Sequence, residues 1–158
     1  MILDLTLLDD VQLKNVIDNH RRKGATEESV YKEALAEQAK RLGKGLNFEM
    51  TIKVITHAAS EGRFISYKEV ADASGVSWNK VRYAMGRHLD DLIEYCHLNE
   101  LPLLSSIVVN KPNVESGELN PESLKGFIAG VQRLNIAVLD DAAFLHEAQK
   151  RVFEWAKS

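Results

Sequence analysis

A chain of 158 residues, 45% hydrophobic and 27% charged, is long enough to bury a core without staples. Its single cysteine, Cys96, excludes an internal disulfide framework, and no cysteine–histidine ligand cluster can be assembled around it; no metal or other cofactor is expected, and a reducing, cytoplasmic setting fits. A net charge of -3 excludes a protein that coats nucleic acid by bulk charge, so any phosphate contact must come from a local basic face.

Acid interrupts the opening Met1-Ile2-Leu3-Asp4-Leu5, and no later apolar run reaches the length of a membrane span, so neither secretion nor membrane insertion is expected. Thr6-Leu7-Leu8-Asp9 has the form of a capping box. Leu13, Val16, Ile17 and His20 follow at helical spacing, and a first helix is predicted to end at Gly24. The cations of its last turn, His20 to Lys23, suit the exposed carbonyls there and are read as helix stabilisation rather than phosphate binding. Thr26 is placed to cap a second helix with Tyr31, Ala34, Leu35, Gln38 and Leu42 on one side. Gly43-Lys44-Gly45 breaks it; that loop is short and lacks the Lys-Ser/Thr pair of a phosphate cradle. Residues 1–46 are therefore expected to form a helical hairpin. A third helix runs from an Asn47 cap through Phe48, Ile52, Ile55 and Ala59 to Gly62, with His57 beside a stripe whose spacing says core.

Ser66-Tyr67-Lys68-Glu69 is a second capping box, opening a short helix that turns Val70 and Ala71 inward before Gly75 breaks it. Ser77 is placed to cap the next helix. There Val81, Ala84 and Met85 face inward, leaving Trp78, Asn79, Lys80, Arg82 and Tyr83 largely outward. A small residue where two helices cross, a glycine in the turn and apolar residues closing the pair make Ser66 to Gly86 a helix-turn-helix pattern. From Arg63 to Arg87 there are five Lys or Arg residues (63, 68, 80, 82, 87) against two acids (69, 72), in a chain that is acidic as a whole. The second helix is suited to enter a groove and present Asn79 or Arg82 to base edges, with Lys68, Lys80 and Arg87 on phosphate. Tyr67, Ser77, Trp78, Tyr83 and Lys111 complete the candidate DNA surface.

Beyond it, His88 to Cys96 continues helically with an acidic, solvated outer face until Leu101-Pro102. Leu103 to Asn110 is of strand length, and the turn residues from Lys111 to Leu119 predict a β-hairpin wing. Asn120-Pro121 opens a helix reaching Leu134, Ile136 to Leu139 reads as a short strand, and Asp140 or Asp141 starts a last helix with Leu145, Ala148, Val152 and Trp155 on one stripe. The expected architecture is mainly α. A winged-helix domain at 47–135 follows the N-terminal hairpin, and a short strand and C-terminal helix at 136–158 pack on the core.

The stretches Phe64 to Ala71, Val81 to Gly86 and Leu101 to Leu104 resemble the DNA-binding domain of alkylguanine-DNA alkyltransferases and alkyltransferase-like proteins, over about the middle half of the chain. That resemblance implies that Tyr67 and Arg82 help extrude a base through the minor groove. The family's Pro-Cys-His-Arg nucleophile motif is missing: Leu103-Leu104-Ser105-Ser106-Ile107-Val108-Val109 stands there instead. Cys96-His97 precedes Pro102, lacks the flanking Pro and Arg, and reads as a buried structural thiol. The whole chain also resembles a bacterial family that shares Asn19 to Arg22 and the Leu103 to Asn110 segment, which implies no activity.

No catalytic or metal site is expected. Ser105 and Ser106 lack a nucleophile-elbow context, and Asp90, Glu94 and His97, although able to share a helix face, are read as part of the solvated acidic face. The function expected is therefore non-enzymatic DNA binding, as a regulator or a repair or defence accessory, with double-stranded DNA as partner and major- or minor-groove docking left open. The alternative is a protein-interaction module or homodimer using Trp78, Tyr83 and Tyr95 as an aromatic patch; a small DNA-acting enzyme ranks below both.

Overall fold

Side-chain caps at Asp9, Asn47, Ser66, Asn120 and Asp140 start five of the helices in the computed structural model, which describes residues 4–42 and 44–158. Asp9 caps α1 (Asp10–Lys23): its carboxylate accepts from Gln12 N at 2.7 Å while the Gln12 side chain accepts from Asp9 N at 2.9 Å. The capping box expected at Thr6 thus lies three residues later, because Asp4 and residues 5–7 form a separate 3-10 turn. Gly24 ends α1 in the left-handed region, φ 69°. The second helix, α2 (Ser29–Leu42), starts three residues after the expected Thr26 cap. Gly43, like Met1 to Leu3, lies outside the described residues. Asn47 caps α3 (Phe48–Ser60) as its spacing predicts. Gly45 sits at φ 105°, where a Cβ would stand 2.7 Å from Val76 Cγ1; the α2–α3 connection needs glycine to lie against that valine.

After α3 come β1 (Ile65–Ser66), α4 (Tyr67–Ala73), α5 (Trp78–Val81), α6 (Met85–Leu98), β2 (Val108–Val109), α7 (Pro121–Gln132) and α8 (Asp141–Lys157). The protein is mainly helical, with one small parallel sheet pairing Ile65 with Val108 and Ser66 with Val109. The predicted wing does not form. Leu104–Ile107 is a 3-10 turn, only Val108–Val109 is strand, Lys111–Asn113 is another 3-10 turn, and no antiparallel hairpin occurs among the described residues. The physical reason is burial: residues 104–109 are all buried, as suits a strand inside a parallel pair and not one on a solvated hairpin. Ile136 to Leu139 likewise forms no strand, and Leu139 is fully exposed.

The central core gathers Ile55, Ala58 and Ala59 of α3, Val70 and Ala71 of α4, Leu89 and Leu92 of α6, Leu104 and Ile107, and Val152 of α8. The α1–α2 pair buries Leu13, Ile17, Tyr31 and Leu35 as a second cluster, and α7 with α8 and Ile93 makes a third. Buried Gln149 on α8 binds this frame to the segments around β2, its amide donating to Ser106 O at 2.9 Å and Gly117 O at 2.7 Å. Since a buried amide must find partners, α8 and the 104–117 stretch are placed together.

Candidate nucleic-acid interface

The Ser66 capping box forms as its spacing predicts: Ser66 Oγ accepts from Glu69 N at 3.2 Å and Glu69 accepts from Ser66 N at 2.8 Å. It starts α4 at the end of β1, and Gly75, at φ 74°, makes the turn towards α5. From there the structure departs from expectation. Ser77 occupies the cap position, but its hydroxyl accepts no bond from the helix, and α5 is a single turn. Its ladder closes with Arg82 N to Trp78 O at 2.8 Å, tightens to Ala84 N to Val81 O at 2.9 Å, and α6 begins afresh at Met85. Residues 82–84 therefore lie between two helices, where a continuous helix to Gly86 is predicted. A one-turn helix has too few hydrogen bonds to sustain itself. It is anchored by buried Val81 and Met85, while Arg82 and Tyr83 project outward.

Beside this break lies a cavity of about 370 Å³. Tyr67 from α4, Trp78 from α5, Arg82, and Met85 and Leu89 from α6 form one side; Ser105, Asn110 and the α7 residues Ser123 and Phe127 form the other. The Tyr67 and Trp78 rings are nearly parallel, 20° apart with centres separated by 6.4 Å. Burial pushes the Tyr67 phenol above its ordinary range, so it is neutral at physiological pH. The Ser105 hydroxyl is buried without a hydrogen-bond partner among the described residues, as is that of Ser106. A hydroxyl with no base hydrogen-bonded to it offers a polar contact.

The sequence-predicted residues divide in three. Tyr67, Trp78 and Arg82 converge on the cavity; Ser77, Asn79, Lys80 and Tyr83 are exposed around it. Lys80, Arg82 and Lys111 have no ion-pair partner among the described residues, whereas Lys68 holds Asp72 at 3.0 Å and Arg87 faces Asp91 at 3.7 Å. Tyr83 is 84% exposed, with the Arg82 guanidinium 4.7 Å from its ring centre. Trp78 is half-buried against Tyr67, and Tyr95 packs on Phe48 at 5.1 Å, so Trp78, Tyr83 and Tyr95 do not share one exposed aromatic patch. Sequence reasoning missed Met85, Leu89, Ser123 and Phe127 as cavity wall; they come from separate elements, and no spacing links them.

The acidic side of α6 is not the solvated face expected of it. Glu94 accepts from the Tyr31 hydroxyl and pairs with Arg21 at 3.1 Å, and Asp90 pairs with Arg133 at 2.9 Å. Asp91 is sufficiently enclosed that burial first, then the neighbouring Glu94 and Asp90 against the opposing pull of Arg87, raises its carboxyl to about 6. Burial likewise pushes Tyr31 up to about 12 and the Cys96 thiol to about 12, in agreement with a structural cysteine. No helix among the described residues is long and apolar enough to cross a membrane. No protein-family model, curated protein or solved structure matches the chain.

Proposed function

We propose that this chain is a non-enzymatic, cytoplasmic DNA-binding protein, a regulator or repair or defence accessory, that docks on duplex DNA through Ser77 to Arg87 and takes an extruded base into the adjacent cavity. The observation that carries this reading is the convergence of Tyr67, Trp78 and Arg82 on one cavity, beside exposed Lys80 and Arg82 that no acid neutralises among the described residues. Cations free of internal partners are the ones that can exchange counterions for phosphate. The cavity falls in the range of small-ligand sites, and flat aromatic walls suit a base, which carries a π-face whatever its identity.

The length of α5 favours extrusion over major-groove reading. A groove-reading helix presents three or four side chains to successive base edges, which a single turn cannot do. A cavity at the foot of a short helix suits a base leaving the stack. In this proposal the α4–α5 pair is the helix-turn-helix of a winged-helix relative without a hairpin wing, Tyr67 and Arg82 guide the base, and Lys80 and Lys111, unpaired among the described residues, hold phosphate while Arg87 stays with Asp91.

Fluorescence-anisotropy titration of duplexes tests it, between about 50 and 200 mM salt. Affinity is expected to fall steeply with salt, and Arg82→Ala to weaken binding by about tenfold or more with an unchanged melting temperature. Absence of binding to every duplex at low salt, or unaltered affinity in Arg82→Ala, overturns the proposal.

A further inference from the structure

We propose that the cavity selects a planar cationic heterocycle, a ring-N-alkylated or protonated base, over its neutral counterpart; this rests on the base-accepting reading above. Two carboxylates, Asp90 and Glu122, line the cavity with the aromatic rings of Tyr67, Trp78 and Phe127. Glu122 has neither an ion pair nor a side-chain hydrogen bond among the described residues, and stands exposed on the first turn of α7. Asp90 gives one carboxylate oxygen, Oδ2, to Arg133 at 2.9 Å; Oδ1 has no donor among the described residues. It is wedged against α7, 3.0 Å from where a Cβ on Gly130 would stand. One cation, Arg82, lines the cavity as well, with its guanidinium 4.7 Å from the centre of the exposed Tyr83 ring, against the two carboxylates.

Ser105 supplies an independent pointer to an occupant. Only 6% exposed, it lines the same cavity, and its hydroxyl has no partner among the described residues. A buried hydroxyl left unpaired is costly, and a heterocycle with a ring heteroatom or exocyclic group against that wall relieves it. A positively charged ring gains further from carboxylates and aromatic faces in a partly desolvated site, where a neutral ring gains only stacking. The same carboxylates repel phosphate, so the base enters and the backbone stays on the Lys80 side.

The test uses the full chain and two matched series: duplexes carrying 1-methyladenine or adenine at one position, and the nucleosides 1-methyladenosine, adenosine and a neutral O-alkylated guanosine. The cationic member of each series is expected to bind about fivefold tighter or more. Glu122→Gln, on an exposed turn, should erase that preference while leaving the melting temperature unchanged. Equal affinities for charged and neutral members, tighter binding of the O-alkylated guanosine, or a preference that survives Glu122→Gln overturns this inference. A duplex that binds without charge preference removes the selectivity and leaves DNA binding standing. Nucleoside selectivity without duplex binding removes the DNA reading and keeps the selectivity.

Discussion

Around α6 and around α5 the chain carries charge in opposite circumstances. Facing α6, Arg21 from α1 meets Glu94 and Arg133 just beyond α7 meets Asp90, so guanidinium and carboxylate are matched between elements far apart in sequence, while Arg87 faces Asp91 across one turn of α6 itself. Near α5, Lys80 and Arg82 stand on a single helical turn and a break, and neither makes an ion pair among the described residues. In the first region charge is spent holding helices in register, and an incoming anion would have to break an existing pair. In the second it is free for a ligand. Composition cannot tell these apart, since both segments look charged and helical; only the partners do.

The largest effect is expected from Glu94→Ala. It leaves the Arg21 guanidinium and the Tyr31 phenol without their acceptor in a half-buried setting, between a surface pair and a buried one, and should cost about 2 kcal/mol in chemical denaturation. A loss below about 0.5 kcal/mol would mean that the α6 network holds nothing together.

The next effect concerns pH. Burial lowers His88 to about 4, so as pH falls from 6.5 to 4 the unfolded chain takes up a proton that the folded chain refuses, and stability is lost. Asp91 works the other way. Its folded carboxyl titrates near 6 against 3.8 when unfolded, so the folded chain takes up the extra proton over that window and stability is gained as pH falls. Asp91→Asn removes the gain and leaves the loss. Its melting temperature should drop more steeply than the parent's between pH 6 and 4, and parallel curves would show that Asp91 titrates normally.

The smallest effect on stability belongs to the other region. Lys80→Ala should change folding stability by less than about 0.5 kcal/mol while lowering the salt slope of DNA binding by about one. Lys68→Ala, whose lysine is already held by Asp72, should change that slope less. Equal slopes for the two variants would erase the distinction between paired and unpaired cations.

What could be read from the sequence follows the same division between local and distant causes. The Asn47 cap, the Ser66–Glu69 box, Gly24 and the Asn120-Pro121 start of α7 all form as predicted, because each is decided within about four residues. The wing failed because Leu104 to Val109 is buried against α3, α6 and α8, a fact of packing that a β-branched run cannot announce. The solvated face of α6 failed because its partners lie 43 and 73 residues away. Of the candidate site, the spacing of Ser66 to Arg87 identified the α4–α5 side of the cavity; the α7 side, with Phe127 and Glu122, had no signal because helices far apart in the chain meet there.

The interruption at Arg82 to Ala84 also bears on how this surface can change. Val81 is the one fully buried residue of α5, Trp78 leans on Tyr67, and the next helix starts anew at Met85. Positions 79, 80, 82 and 83 are consequently decoupled from the core, so mutation can explore them without passing through unfolded intermediates. A library randomised at those four positions on the parent scaffold should yield mostly folded variants that differ in what they bind, which makes the segment a natural cassette for altering specificity.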